Sequence, residues 1–291
     1  MSRFPKPVMN PPSDEEFNAI LARASYLAGH DLQRYRREHL IRRFTTALNH
    51  AGLSRWDEFA TWLSASPKAK KVILGLFPVR YSPGFFRDPA AFFKAERIIA
   101  EVSKESSRIL VFSIGCGFGH EAYSLAIICN RCCMQKCEWS VIGIDMISEA
   151  IDFARRGIYP KIDIEAIDCD TSNSFFTPCG MPTSHKYEVI HELRNRCSFI
   201  QADLVKLNLK VPPNPDSEEE NAIFSLKGNV DLIACRYVLT YLGNEAASDL
   251  LANAGLLLKS GGFLWIGEGE TIVDEIRAMF EPVEPGFFVR K

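Results

Sequence analysis

The residues with the clearest chemical potential lie at positions 109–124, in the sequence ILVFSIGCGFGHEAYS. An apolar run ends in Gly115, Gly117 and Gly119, and a helical pattern follows. Glycine permits a tight turn with positive φ and lets a ligand approach the backbone, and the first amides of a helix have no partner within the helix. Between a strand and a helix, this spacing is typical of a loop that binds a nucleotide-type cofactor. An ordinary glycine-containing turn is the alternative.

An acidic residue follows the next predicted strand. The apolar run at 140–144 ends in Asp145. A carboxylate at the tip of the second strand can accept hydrogen bonds from both hydroxyls of a ribose. The alternative is a helix cap, because a helical pattern begins directly afterwards. We expect Asp145 to bind a nucleoside.

Composition limits the classes of function. The chain has 291 residues, is 47% hydrophobic and carries a net charge of −2, so it has core material for two domains and no charge excess that favours nucleic acid. Its apolar runs are shorter than the ~20 residues of a spanning helix, and the N-terminal segment does not resemble a signal peptide. We therefore expect a cytoplasmic protein that does not insert into membranes.

Nine cysteines raise the question of a metal site. Cys129, Cys132, Cys133 and Cys137 are close enough in sequence to supply zinc ligands. They lie at the end of one predicted helix, without a second cysteine knuckle or a suitably spaced histidine. Free thiols in a reducing compartment are the preferred interpretation, with no metal.

The periodicity of the chain predicts its organisation. We expect a flexible leader at 1–12, a helical domain at 13–76, a linker at 77–88 and an α/β domain at 89–291. Asp31 is expected to cap the second helix. Alternating strands and helices predict a mainly parallel sheet, interrupted by an insertion at about 158–197 that suits a β-subdomain and by a polar exposed loop at 212–221.

Several blocks of sequence resemble the chemotaxis receptor methyltransferases, the CheR family, which use S-adenosyl-L-methionine and release S-adenosyl-L-homocysteine. Besides SIGCGFGHEAYSLAI, the blocks are LIRRF, FFRD, IGIDMISEAIDFARRGIY, FIQADL, CRYVLTYL and LLLKSGGFLWIGEGET. Their order and spacing match over nearly the whole chain. The resemblance implies a Rossmann-like class I methyltransferase domain preceded by a small all-helical domain.

The resemblance also implies roles for individual residues. The cofactor would be bound by Pro83, Arg87, Gly115, Gly117, Glu121, Asp145, Asp203, Leu204, Arg236 and Tyr237. Arg87 would meet the methionyl end, Glu121 the amino group, and Asp203 with Leu204 the adenine. Tyr241 matches a tyrosine close to the departing methyl group, so Arg87 and Tyr241 are the expected catalytic residues.

Several positions depart from the family pattern. Gly117 and Phe118 stand in the glycine loop where the family has a small polar pair. Pro83 stands where the family has threonine, His120 where it has glutamate, and Tyr237 where it has asparagine. Proline lacks an N–H donor, and tyrosine offers one hydroxyl and a broad ring in place of an amide. We expect the Tyr237 ring to pack against the cofactor or to narrow the entrance for the acceptor.

The family reaction forms methyl esters on glutamates in the helical cytoplasmic region of chemoreceptors. An arginine-rich segment at 31–43 suits such an acidic partner, and we expect Arg36, Arg42 and Arg43 to bind it. A solvated helix face over the domain core is the alternative. Other possibilities are a different protein or small-molecule acceptor, or a regulatory protein that binds cofactor without catalysis. A monomer is expected.

Overall fold

The computed structural model describes residues 10–29, 31–76, 84–133, 137–165, 167–181, 183 and 185–291. Within these ranges the chain forms two compact units. One comprises the described residues up to 76 together with 241–246, and the other comprises 84–240 and 247–291. The sequence had suggested that 241–246 would belong to the α/β domain.

Four helices form the first unit: α1 (Asp14–Ala28), α2 (Arg37–His50), α3 (Trp56–Ala65) and α4 (Ala69–Leu76). Ser13 and Glu16 form a capping box at the start of α1, which satisfies two of the amide donors that a helix leaves free. Phe17, Phe44 and Phe59 are buried in the core of this unit. Asp31 caps a short 3₁₀ turn at Leu32–Arg34, so the expectation that it caps the second helix was wrong.

A seven-stranded sheet, ordered β6-β2-β1-β7-β8-β10-β9, forms the centre of the second unit. Its strands are β1 (Arg108–Ile114), β2 (Glu138–Asp145), β6 (Cys197–Gln201), β7 (Val230–Cys235), β8 (Leu258–Ile266), β9 (Phe280–Glu284) and β10 (Phe287–Arg290). The first five strands of that order are parallel, β10 runs antiparallel to β8, and β9 runs antiparallel to β10. This confirms the predicted Rossmann-like α/β class.

The strands and helices of this sheet follow from apolar patterning. Ile109 to Ile114 are all buried, as expected for a parallel strand covered on both faces. The helices that connect and flank the sheet are α5 (Pro89–Glu105), α6 (His120–Cys132), α7 (Ser148–Arg156), α11 (Glu218–Phe224) and α12 (Asn244–Leu257). Helix α11 begins within the segment predicted as a polar exposed loop, where the Ser217 side chain accepts from the Glu220 amide, and continues beyond it to Phe224.

The predicted insertion contains a second, three-stranded antiparallel sheet, ordered β3-β5-β4. Its elements are β3 (Ile158–Pro160), α8 (Lys161–Ile164), α9 (Cys169–Phe175), β4 (Phe176–Cys179), β5 (Lys186–Val189) and α10 (His191–Asn195). The Phe85 ring packs edge-on against Tyr159 and Phe176, with ring centres 4.9 Å apart in both pairs. The expected β-subdomain is therefore present.

In the described part of the chain, no helix has the length and apolarity needed to cross a membrane.

Candidate functional site

The sequence-predicted residues of the α/β unit gather where four adjacent parallel strands end. Gly115 follows β1, Asp145 ends β2, Asp203 follows β6 and Arg236 follows β7. In open α/β sheets, ligands bind at this carboxyl edge because the loops leaving the strands diverge there. The topology thus brings together residues that are up to 121 positions apart in sequence (from 115 to 236).

The loop after β1 requires glycine for conformational and steric reasons. Gly115, Gly117 and Gly119 have φ values of 69°, 53° and 86°, in the left-handed region that favours glycine. A Cβ on Gly115 would lie 2.6 Å from Cγ2 of Val238, and one on Gly119 would lie 2.8 Å from the Ala154 Cβ. The loop leads directly into α6, which begins at His120.

Asp145, at the end of the neighbouring strand β2, accepts a hydrogen bond from the backbone of this loop. Its two carboxylate oxygens accept from the amides of Gly117 and Ile147, each at 2.9 Å. Burial raises the pKa of Asp145, and the backbone hydrogen bonds oppose this shift. Asp145 is not the N-cap of α7, because that position is Ile147, which has no side-chain cap. Each carboxylate oxygen of Asp145 keeps a further lone pair for an external donor.

Glu121 lies on the first turn of α6 and is enclosed by polar partners. Ser113 Oγ donates to its Oε1 at 2.8 Å, and Arg236 Nη1 lies 3.2 Å from Oε2. Burial raises the pKa of Glu121, whereas the positive charge of Arg236 lowers it. A further cation beside this carboxylate would stabilise its ionised form.

Arg236 is a buried cation held between two acidic residues. Only 6% of the residue is exposed, and its Nη2 donates to Asp88 Oδ2 at 2.7 Å and to the Arg87 carbonyl at 2.9 Å. Its guanidinium also lies 4.2 Å from the centre of the Trp265 ring. The ion pairs with Asp88 and Glu121 offset the cost of burying the charge.

Tyr237 contacts the arginine of the FFRD block. The Arg87 guanidinium lies 3.7 Å from the centre of the Tyr237 ring, and the Tyr237 hydroxyl donates to Asp88. Phe86, Asp88 and Tyr237 all have positive φ, a strained conformation for residues with side chains that is frequent at functional sites. The described ring contacts of Tyr237 are therefore with the site's own cationic and acidic residues.

Asp203 and Leu204 form the loop beyond β6. Asp203 accepts from the amide of Val205 at 3.1 Å, and its carboxylate lies 3.8 Å from Nζ of Lys206. Leu204 is buried, and its carbonyl accepts from Asn253 Nδ2 at 2.8 Å. This loop adds an apolar side chain to the carboxyl edge, as the adenine role would require.

Sequence reasoning missed Glu270. Its carboxylate accepts from the amides of Tyr237 and Gly267, both at 2.8 Å, and from the amide of Thr240 at 2.9 Å. It therefore ties the loop after β7 to the loop after β8. The available signal was an acidic residue in the glycine-rich GEGE segment directly after a predicted strand.

The arginines predicted to bind the acceptor protein lie in the helical unit, as does Tyr241, which is predicted to lie near the transferred methyl group. The Arg36 amide donates to the Tyr241 carbonyl at 2.9 Å, and Arg36 Nε donates to the Leu242 carbonyl at 2.8 Å. The Tyr241 ring packs 4.7 Å from His39, which sequence reasoning did not single out. Arg43 Nε lies 3.4 Å from His39 Nε2, and Arg42 is exposed. Arg36 thus anchors the 241–242 segment within this unit.

His120, one of the departures, pairs with the insertion. Its Nε2 lies 2.9 Å from Asp163 Oδ2, and both side chains are at least 97% buried. The Tyr159 hydroxyl, also from the insertion, donates to the Phe118 carbonyl at 2.7 Å. The imidazole and this hydroxyl connect the β-subdomain to the glycine loop. Pro83 lies outside the described residues.

The cysteines do not form a metal centre in the described part of the chain. There, no group of three or more histidine, cysteine or acidic side chains is arranged to hold a metal ion. Cys129, Cys133 and Cys137 are buried free thiols. Burial raises the pKa of Cys137 to about 11, which keeps its thiol protonated and unreactive at neutral pH.

The chemistry of the site fits S-adenosylmethionine. This cofactor presents an ammonium, a carboxylate and a ribose diol, and the site offers the half-buried carboxylates of Glu121 and Asp145 together with the Arg87 guanidinium. Burial raises the pKa of both carboxylates, so cationic or hydroxyl donors would be favourable neighbours for them. Of the three positive-φ glycines at the same edge, Gly115 is exposed.

Comparisons with known proteins agree with this assignment. Residues 82–286 match the family model described as CheR methyltransferase, SAM binding domain. Chemotaxis protein methyltransferase 2 of Pseudomonas aeruginosa is 23% identical over 260 residues, covering 89% of this chain and 87% of that protein. The chemotaxis protein methyltransferase of Salmonella typhimurium is 24% identical over 269 residues, covering 91% and 86%.

Among solved structures, the magnesium protoporphyrin IX methyltransferase of Synechocystis has 16% sequence identity and a TM-score of 0.31, covering 60% of this chain and 54% of that protein. The family model alone spans more than two thirds of the chain. The glycine loop, Glu121, Asp145 and Arg236 all lie inside the matched range. The chain therefore belongs to the CheR family of S-adenosylmethionine-dependent methyltransferases.

Proposed function

We propose that this chain is a protein-glutamate O-methyltransferase that forms methyl esters on glutamates in acidic cytoplasmic helices of a chemoreceptor-like protein. The proposal depends most on one observation: the carboxyl edge of the sheet combines the glycine loop with Glu121, Asp145 and Arg236. Membership of the CheR family and the names of its relatives support the choice of acceptor.

The proposed reaction needs little from protein acids or bases. A glutamate has a pKa of about 4.3, so its carboxylate is already a nucleophile at neutral pH. Bound S-adenosylmethionine supplies an electrophilic methyl group on a sulfonium. The chain's own contribution is then to bind, align and exclude water, which is where most of the rate enhancement of such transfers arises.

The proposed division of labour follows the contacts of the site. Arg87 binds the carboxylate at the methionyl end, and its position is set by the Tyr237 ring beneath it. Glu121 binds the ammonium, and Arg236 keeps that carboxylate ionised from the opposite side. Asp145 binds the ribose hydroxyls, and Asp203 with Leu204 borders the adenine. Tyr241 is proposed to lie near the transferred methyl group.

We further propose that Arg36, Arg42 and Arg43 lie on the acceptor side. Arg42 is exposed on α2, where its charge can attract an acidic helix. Arg36 contributes mainly by holding the Tyr241 segment through its bonds to that backbone. The enzyme would act as a monomer in the cytoplasm, where the acceptor helices are located.

The experiment that tests this function is methyl transfer from radiolabelled S-adenosylmethionine to lysate proteins of the source cells. Label on a protein that is released as methanol by mild base would support glutamyl esters. Base-stable label, or label on a small molecule, would indicate another acceptor, and cofactor binding without transfer would indicate a regulator. Asp145→Ala serves as the reference with weakened cofactor binding, and Asp152→Ala, which alters an exposed residue of α7, as its matched control.

A further inference from the structure

A buried polar contact joins the insertion to the first residue of α6. His120 Nε2 lies 2.9 Å from Asp163 Oδ2, and the two side chains are 2% and 3% exposed. Asp163 belongs to the short helix α8 of the insertion. Burying two titratable groups has a free-energy cost that their mutual attraction often fails to exceed. A buried polar pair can, however, fix one arrangement of the two elements that it joins.

The start of α6 has little local support of its own. Gly119 occupies the N-cap position, where it has no side chain to accept from the first amides of the helix. A serine, threonine or aspartate at this position would fix the helix start. The insertion instead provides two hydrogen bonds that flank Gly119: the Tyr159 hydroxyl donates to the Phe118 carbonyl at 2.7 Å, and Asp163 pairs with His120. Tertiary contacts therefore fix the start of this helix.

Aromatic rings enclose the His120 side chain. Its ring centre lies 5.0 Å from that of Phe85 and 4.7 Å from that of Tyr159, with interplanar angles of 60° and 61°. Phe85 is the first residue of the FFRD segment, and Tyr159 belongs to the insertion. The imidazole thus contacts both the insertion and the segment that carries Arg87.

Two routes lead from His120 to the residues that are proposed to bind the methionyl end of the cofactor. Glu121 is the next residue of α6. The His120 carbonyl accepts from Ser124 Oγ at 2.8 Å, and the same Oγ accepts from the Phe86 amide at 3.0 Å. Phe86 is followed directly by Arg87. A shift of His120 would therefore move Glu121 and, through Ser124, the backbone that carries Arg87.

We propose that Asp163 and His120 are positioning residues for the amino-acid group of S-adenosylmethionine. Asp163 holds His120, and His120 keeps the Glu121 carboxylate and the Arg87 segment at the spacing required by an ammonium and a carboxylate on the same carbon atom. The inference rests on the roles proposed above for Glu121 and Arg87. It gives the β-subdomain a function in cofactor binding.

The test compares two ligands that differ in the amino-acid group. S-adenosylhomocysteine has this group, whereas 5′-methylthioadenosine has the same adenosine and a thioether without it. Asp163→Ala should weaken S-adenosylhomocysteine binding about tenfold and change 5′-methylthioadenosine binding less than about twofold, because displacement of Glu121 or Arg87 affects only the ligand with charged groups. Calorimetry on the full chain, with displacement titrations for the weaker ligand, measures both affinities. Asp170→Ala, which alters an exposed aspartate of the same insertion, is the matched control.

Two further variants keep the test valid if Asp163→Ala does not fold. Asp163→Asn keeps the size of the side chain and an oxygen that can accept from His120, so its S-adenosylhomocysteine affinity should stay within about threefold of the wild-type value. Ser124→Ala places a strong helix former in α6 but breaks the link to the Phe86 amide. It should lower S-adenosylhomocysteine affinity about fivefold and leave 5′-methylthioadenosine affinity unchanged. Circular dichroism checks the fold of each variant.

Three results would overturn the proposal: wild-type S-adenosylhomocysteine affinity in a folded Asp163→Ala variant, equal weakening of both ligands in that variant, or wild-type affinity for both ligands in Ser124→Ala. If instead the role assigned to Glu121 were wrong, Glu121→Gln would also weaken both ligands equally or neither. An error in the proposed acceptor would leave all these affinities as expected and would be detected only in the labelling of lysate proteins.

Discussion

The Arg87 guanidinium lies 3.7 Å from the centre of the Tyr237 ring, and the hydroxyl of that ring donates to Asp88. Tyr237 therefore positions two consecutive residues of the FFRD segment, although it is about 150 positions away in sequence. Both Asp88 and Tyr237 have positive φ. The ring supports the arginine that is proposed to bind the cofactor's carboxylate.

Replacing Tyr237 should separate the effect of its ring from that of its hydroxyl. Tyr237→Leu removes the stacking, which is worth about 0.5–2 kcal/mol, and should weaken S-adenosylhomocysteine binding about two- to thirtyfold. Tyr237→Phe keeps the ring and should bind nearly as wild type. Calorimetry on the three proteins measures this order, and a leucine variant with wild-type affinity would show that Arg87 needs no support from the ring.

Glu270 should matter for both stability and binding. It accepts hydrogen bonds from the amides of three residues in two loops. Glu270→Gln replaces one acceptor oxygen with a donor, so either the exposed Thr240 amide or the part-buried amides of Tyr237 and Gly267 lose their acceptor, at a cost of about 1–3 kcal/mol. Denaturant unfolding should detect this loss, together with weaker S-adenosylhomocysteine binding. Glu268→Gln, an exposed near neighbour, is the control; equal stability of the two variants would contradict the role.

Asp145 should contribute to cofactor binding through its carboxylate. Asp145→Ala removes the acceptor for the ribose hydroxyls and for the amides of Gly117 and Ile147, so S-adenosylhomocysteine affinity should fall by about 1–3 kcal/mol. Asp152→Ala, in the helix α7 that follows β2, should bind S-adenosylhomocysteine as the wild type does. If calorimetry gave the same dissociation constant for all three proteins, Asp145 would be outside the site.

Cofactor affinity should decrease at mildly acidic pH. Burial raises the pKa of Glu121 above 4.5 and that of Asp145 above 3.8, so both groups take up protons at a higher pH than exposed carboxyls do. Protonated carboxyls bind an ammonium or a diol less well, and calorimetry between about pH 5 and 8 should show S-adenosylhomocysteine affinity falling as pH is lowered.

The free energy of unfolding of the ligand-free protein should change with pH in the opposite sense to the ligand affinity. The contribution of Glu121 and Asp145 to it should be larger at low pH than at high pH. A pKa raised in the folded state means that the folded protein binds these protons more tightly than the unfolded chain does. Their stabilising contribution is present below the unfolded pKa and is lost as pH rises through the folded pKa.

A ligand affinity that stays constant down to pH 4.5, with the fold intact by circular dichroism, would contradict the assignment of both carboxylates.

The Arg42 side chain should contribute to binding of the acceptor protein and not to binding of the cofactor. Arg42→Glu reverses an exposed charge on α2 and should lower methyl transfer about three- to tenfold, with less effect as added salt screens the pairing. S-adenosylhomocysteine affinity should stay at the wild-type value, and Lys70→Glu should transfer normally. Normal methyl transfer by the Arg42→Glu variant at low salt would favour the alternative, in which the arginines form a solvated helix face and do not bind the acceptor.

Local sequence patterns determined the elements that carry the site. The apolar run of β1, the glycines after it and Asp145 at the end of β2 could be identified because strand periodicity, turn conformation and strand ends depend on residues close together in the chain. The alternation of strands and helices similarly predicted the parallel sheet, and the irregular stretch near 158–197 predicted the β-subdomain. His120 stood out in sequence only as a departure; its partner Asp163 lies 43 positions away.

Tertiary structure alone decided which side chains meet. Arg236 pairs with Asp88 across 148 positions, and Glu270 binds the Tyr237 amide across 33. Residues 241–246 join the helical unit because the backbone of Tyr241 and Leu242 bonds to Arg36. Such contacts depend on strand order and helix packing, which no local pattern specifies, because the partners become neighbours only after the chain has folded.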